Sequence, residues 1–157
     1  MKIANEKLLD LAKGLNAVSK LGGAKFAYAV ARNLTKVNSE ISSLNTAFAP
    51  TEEYIAFDKE RATLAESNAV KIDGKPKIEG DHYVIEDQAK FDKELEVLKE
   101  KHKKTVDERE KQDNEFKEIM KQEVEIDLYT IPASYLPENI TAEQINGILL
   151  IIEEEKK

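Results

Sequence analysis

The residues of this sequence best suited to acid-base or metal chemistry are two histidines and a surplus of carboxylates. His82 stands in "GDHYVIE" beside Asp81, a pairing that could orient an imidazole for proton transfer or metal ligation. Either task needs further groups converging on the ring, and one histidine with one neighbouring acid falls short of that. His102 lies in "EKHKK", where the surrounding cations oppose a bound divalent metal, so a solvated helix position is the simpler reading.

Glu94, Glu96, Glu100, Asp107, Glu108 and Glu110 could supply paired acids for general acid-base work if the fold brought them together. Abundance weakens that signal. Any helix in so acidic a chain carries acids at three- and four-residue spacing, usually matched to lysines as surface pairs worth about 0.2 to 0.5 kcal/mol. With no cysteine there is no thiolate nucleophile, disulfide framework or Cys-based metal site. The sequence contains no phosphate-binding glycine loop, nucleophile elbow, zinc-binding HExxH or EF-hand pattern. "DGKPKIEGD" has neither the ligand alternation nor the length of a calcium loop. No catalytic, cofactor-binding or metal-ligating residue is therefore assigned, and the expectation is a protein that is not an enzyme and uses no cofactor.

The elements that would have to position such groups can be read from composition and periodicity. A length of 157 residues fits a single domain, residues 1–157, around one core. A charged fraction of 35% beside 41% hydrophobic residues suits long, two-sided helices with much solvated surface. The formal charge of -7 repels phosphate, which disfavours nucleic acid as a direct partner. The one dense cationic cluster, "KEKHKK" at Lys99 to Lys104, is followed at once by acids in "DERE" that screen its field. No segment reaches the roughly 20 apolar residues that span a bilayer. The polar helix faces are not basic and tryptophan is absent, so no membrane contact is expected. The interrupted apolar start does not read as a signal peptide, and the chain reads as soluble and unprocessed.

Along the chain, Leu8, Leu11, Ala12, Leu15 and Val18 predict an N-terminal helix over residues 1–21, stopped by Gly22 and Gly23 at a left-handed cap. A heptad seam then runs Val30, Leu34, Val37, Ile41, Leu44 and Phe48, predicting a long helix over 24–69 that kinks or briefly breaks near Pro50, where Thr51 can cap the second segment. Residues 70–86 read as a β excursion between the turn signals Asp73-Gly74 and Gly80-Asp81, with His82 to Glu86 the better strand. Asp87 can cap a charged helix over 87–122 bearing Phe91, Leu95, Leu98 and His102. Its polar middle, around Val106, is expected to project into water or meet a partner. "EVEIDLYTI" predicts a strand over 123–131, a candidate partner for "HYVIE". Pro132 and Pro137 mark turns, and "TAEQ" has capping-box spacing before a final helix over 141–155 with Ile145, Ile148, Leu149 and Ile152 inward. No internal repeat is evident. The fold class expected is mainly α with a minor β element: a long antiparallel helical hairpin, short N- and C-terminal helices and a small two-stranded β ribbon.

The order of "KFAYAVARNLTKVNSEISSLNTAF", a long charged helix, "GDHYVIEDQAKFDKELEVL" and "EVEIDLYTIPASYLPENITAEQINGILLII" resembles an uncharacterised family of small tailed-phage proteins known as a domain of unknown function. The likeness runs from about Gly23 to Ile152. It implies a phage or prophage origin and brings no active-site residue with it. Residues and resemblance together lead to the expectation of a non-enzymatic phage protein acting through protein-protein contacts, as a virion or assembly component or a self-associating accessory factor. Its partner would be itself, a virion protein or a host protein, in the host cytoplasm or the virion, with homo-oligomers possible. The alternative is an inhibitor of a host nucleic-acid enzyme or defence system, working by occlusion with acidic helices. The seam from Val30 to Phe48 is expected to pack internally. The weakened seam beyond Pro50 and the arm around Val106 then become the contact surfaces.

Overall fold

The structure, a computed structural model, describes residues 1–153. In chain order its elements are β1 (Lys2–Ala4), α1 (Asn5–Val18), α2 (Ala24–Ala47), α3 (Glu52–Ser67), β2 (Lys71–Ile72), β3 (Lys75–Pro76), β4 (Ile78–Glu79) and β5 (His82–Tyr83). There follow α4 (Gln88–Lys101), α5 (Lys103–Lys121), β6 (Glu123–Glu125), β7 (Ile131–Pro132), α6 (Ala142–Ile148) and β8 (Ile152–Glu153). The protein is mainly α with minor β pairings. Where a single domain is expected, the chain divides into two compact units, Met1–Phe48 with Glu115–Lys157, and Ala49–Asn114. The cause is the distribution of apolar side chains. The contiguous core belongs wholly to the first unit, whereas the second buries only Phe57 and Ala69 among its hydrophobic residues.

In the first unit Leu8, Leu11, Ala12, Leu15 and Val18 are all buried, as the helical spacing of α1 predicts. They meet Phe26, Ala29, Val30 and Val37 of α2 together with Ile126, Ile131, Ile148 and Ile151. Full burial of each large aliphatic or aromatic side chain contributes about 1.5 to 3 kcal/mol. The seam of α2 is thus core at Val30 and Val37, while Leu34 and Ile41 pack against that core half-buried. At its end Phe48 stacks edge-on against Phe116, with ring centroids 5.2 Å apart.

Several boundaries differ from the periodicity. Residues 2–4 of the expected N-terminal helix are drawn into β1, which pairs antiparallel with β6 and sets Ile3 opposite Val124 and Lys2 opposite Glu125. α1 stops at Val18, ahead of the glycines, and Gly23 instead takes φ +101° at the entry to α2. The strand expected over 123–131 pairs only at β6 and again at β7, which runs parallel to β8; it does not pair with "HYVIE". The final helix gives way after Ile148 to a 3-10 turn over Leu149–Ile151. That tightening shifts the phase, so Ile151 is buried while Leu149 faces solvent. Residues 154 and 155 of the expected helix lie outside the described residues.

The break at Pro50 is complete: α2 ends at Ala47 and α3 begins at Glu52. Proline lacks a donor and biases Ala49 toward extended backbone, and Thr51 restarts the helix by accepting from Tyr54 N–H at 3.2 Å. Asp87 caps α4 in the same way, from Lys90 N–H at 2.9 Å. α3 and α4 form an antiparallel hairpin, since Asn68 at the end of one reaches Glu94 near the start of the other, and Glu60 reaches Lys101. The charged helix expected over 87–122 divides at His102, whose N–H is shared between the carbonyls of Leu98 and Lys99.

The β excursion is two hairpins on one stem, β2 with β3 and β4 with β5. Their junction is a closed ring of backbone bonds: Val70 N–H to Val84 O at 2.8 Å, Val84 N–H to Lys77 O at 3.0 Å and Lys77 N–H to Val70 O at 2.7 Å. The near-repeated "KIDG" and "KIEG" supply the turns, with Asp73, Gly74 and Gly80 all at positive φ. The near-repeat is four residues long and repeats a turn, not a whole element. Closing these short arms locally costs less chain entropy than a distant pairing with residues 123–131.

Candidate functional site

The residues that could do chemistry are spread apart. His82 is exposed on β5, opposite Glu79, whose carboxylate is held below its ordinary value by a hydrogen bond from Lys77 and then by its charge. Asp81 belongs to the adjoining turn. His102 is on the other side of the hairpin's sequence, at the C-terminal cap of α4. Its Nε2 lies 3.2 Å from Glu60 Oε1, and its ring centroid 5.5 Å from that of Phe57. Phe57 in turn meets Tyr54 at 5.7 Å, and the Arg109 guanidinium lies 5.5 Å above the Tyr54 ring. The start of α5 is therefore laid onto α3 by Arg109, so the arm around Val106 does not project freely into water.

The acids are mostly engaged with nearby lysines. Glu96 accepts from Lys99 at 2.9 Å, and Asp107 and Glu108 lie 3.5 and 3.8 Å from Lys103 and Lys104. Glu100 and Glu110 are exposed on α4 and α5. Each lysine of "KEKHKK" has a carboxylate within salt-bridge reach. Among the described residues no three His, Asp or Glu side chains gather where they could hold a metal ion, and no helix is long and apolar enough to cross a membrane.

What the fold does assemble is a groove of about 570 Å³ along the α3–α4 hairpin. One wall is the stripe Glu60, Thr63, Leu64 and Ser67 of α3, and the other is Glu94, Val97, Leu98 and Lys101 of α4. Both stripes have the i, i+3, i+4, i+7 spacing of a single helical face. Leu64 and Leu98 are half-buried in the floor, while Val97 is 72% exposed at the lip. Polar groups close the two ends. At one, Asn68 donates to Glu94 Oε2 at 2.8 Å, with Lys90 3.8 Å from the other oxygen. At the opposite end Lys101 donates to Glu60 Oε2 at 2.8 Å. The hydrogen bonds from Lys101 and then His102 hold the Glu60 carboxyl below its ordinary value of 4.5.

Sequence reasoning placed contact surfaces near this hairpin but missed the groove. The extended seam of Ile55, Ala62 and Ala65 is not what lines it, and the exposed Val97 in "KELEVLKEK" carried no weight in the periodicity. An isolated valine among charges at i±3 and i±4 was the available signal. Compared with protein-family models, curated proteins and solved structures, the chain has no match.

Proposed function

We propose that this is a non-enzymatic phage protein that works through protein-protein contacts, as a virion or assembly component or a self-associating accessory factor. The observation that carries the reading is the hairpin groove, with an apolar floor, an exposed valine and charges confined to its ends. An exposed apolar strip with a polar rim is the usual anatomy of a contact surface. The phage origin, and with it a place in the host cytoplasm or the virion, rests on the order of sequence segments alone.

The test is affinity purification of the full chain from phage-infected cells with mass spectrometry, alongside a search for the chain in purified particles. The expected result is a stoichiometric partner or incorporation into particles, lost when Val97→Glu places a charge in the groove. Absence from particles together with no partner sensitive to that substitution overturns the reading. Capture of one host nucleic-acid enzyme, with binding that weakens steeply in salt, supports the occlusion alternative instead.

A further inference from the structure

We propose that the occupant of the groove is a second copy of this chain, with α4 of one copy lying antiparallel on α4 of the other. The inference rests on reading the hairpin face as a contact surface and names the partner. It starts from an incomplete layer. A helical layer with one apolar stripe is stable when another layer covers it. Yet Phe57 and Ala69 are the only hydrophobic residues fully buried across the 66 residues of Ala49–Asn114, and Leu64, Leu98 and Val97 stay partly open to water.

The charge pattern selects the occupant. Glu94, Val97 and Lys101 are spaced i, i+3 and i+7, so they share one face of α4 with the acid and the base about 10 Å apart and the valine between them. A uniformly acidic or uniformly basic partner meets repulsion at one end of such a face. A copy turned end for end by a two-fold axis beside Val97 carries the reversed pattern by symmetry, setting Glu94 against Lys101 twice and valine near valine. Both groups have capacity for this. The Lys101 ammonium has three donors and gives one to Glu60, and the Glu94 carboxylate accepts one bond from Asn68, with Lys90 at 3.8 Å from its other oxygen leaving that oxygen open to a closer donor.

Sedimentation equilibrium of the full chain at physiological salt tests the proposal. The expected result is a dimer at about 100 µM, a concentration that occupies even a micromolar interface, converted to monomer by Val97→Glu. Glu94→Lys and Lys101→Glu should each be monomeric alone, yet form a one-to-one heterodimer when mixed, because each supplies the charge the other lacks. Circular dichroism verifies that these variants fold. Because the chain has no cysteine, Val97→Cys gives an independent reading: mild oxidation should link it rapidly into a dimer, whereas Tyr28→Cys, at an exposed site of the first unit, should remain monomeric. A wild-type monomer at that concentration, or a dimer indifferent to Val97→Glu and to the oxidation site, overturns the second copy. In that event the broader contact reading is decided separately, by whether Val97→Glu abolishes capture of a different protein.

Discussion

Gly14 and Gly147 meet backbone to backbone where α1 packs on α6. A Cβ added to Gly14 would stand 2.0 Å from the carbonyl oxygen of Gly147, while one added to Gly147 would stand 3.0 Å from Gly14 Cα. Neither neighbour is a flexible side-chain tip that could swing aside. Gly14→Ala is therefore expected to destabilise by about 3 kcal/mol or more, because overpacking outweighs the roughly 1 kcal/mol that alanine gains in a helix. Gly147→Ala should cost less. Urea denaturation of the two variants checks both the sign and the ranking.

Asn33 is a polar residue with no exposed surface, and its amide satisfies both backbone groups of Tyr129. Its Nδ2 donates to Tyr129 O at 2.8 Å, and Tyr129 N–H donates to Asn33 Oδ1 at 2.8 Å. Asn33→Ala strands both groups in the interior and should cost about 2 to 4 kcal/mol. Thr35→Ala, two residues away and exposed, should change stability by no more than about 0.5 kcal/mol. Thermal or chemical unfolding separates the two.

Acid sensitivity should depend on Lys36 and Asp127. The Lys36 ammonium bonds both the carboxylate and the backbone carbonyl of Asp127. That hydrogen bond, then the ammonium's charge, holds the carboxyl below its ordinary value of 3.8. A pKa lowered by folding contributes stability in full above the unfolded value, and the contribution is lost as pH falls through the folded one. Lys36→Met should return the carboxyl titration upward, as seen by carbon NMR. The stability difference from wild type should be full above pH 3.8 and vanish in stronger acid.

What the sequence disclosed was local. Thr51, Asp87 and Thr141 all cap the helices their spacing marks, and Thr141 forms its capping box with Gln144, because a cap and its target lie three residues apart. The inward stripe of α1 and the core role of Val30 and Val37 were legible for the same reason. Hidden were the contacts whose two halves lie far apart in the chain. The three-residue β1 carries no readable period, and its Ile3 pairs with Val124, far along the chain. Asn33 looked like any polar helix residue until Tyr129, 96 positions later, supplied its partner. The confinement of the contiguous core to the first unit was equally hidden, since periodicity records which face is apolar but not which helix covers it. The groove falls between these cases: its stripes are local, but their juxtaposition depends on the turn of the hairpin.

Site-specific photocrosslinking from position 97, in cells that produce the chain, tests most directly whether the hairpin groove is a protein contact. A photoreactive residue replaces Val97 in one version of the chain and Tyr28, the exposed control in the first unit, in another. A discrete protein adduct is expected from position 97, of twice the chain's mass for a second copy, and none of that species from position 28. Equal, diffuse labelling from both positions, or no protein adduct from position 97, would contradict it.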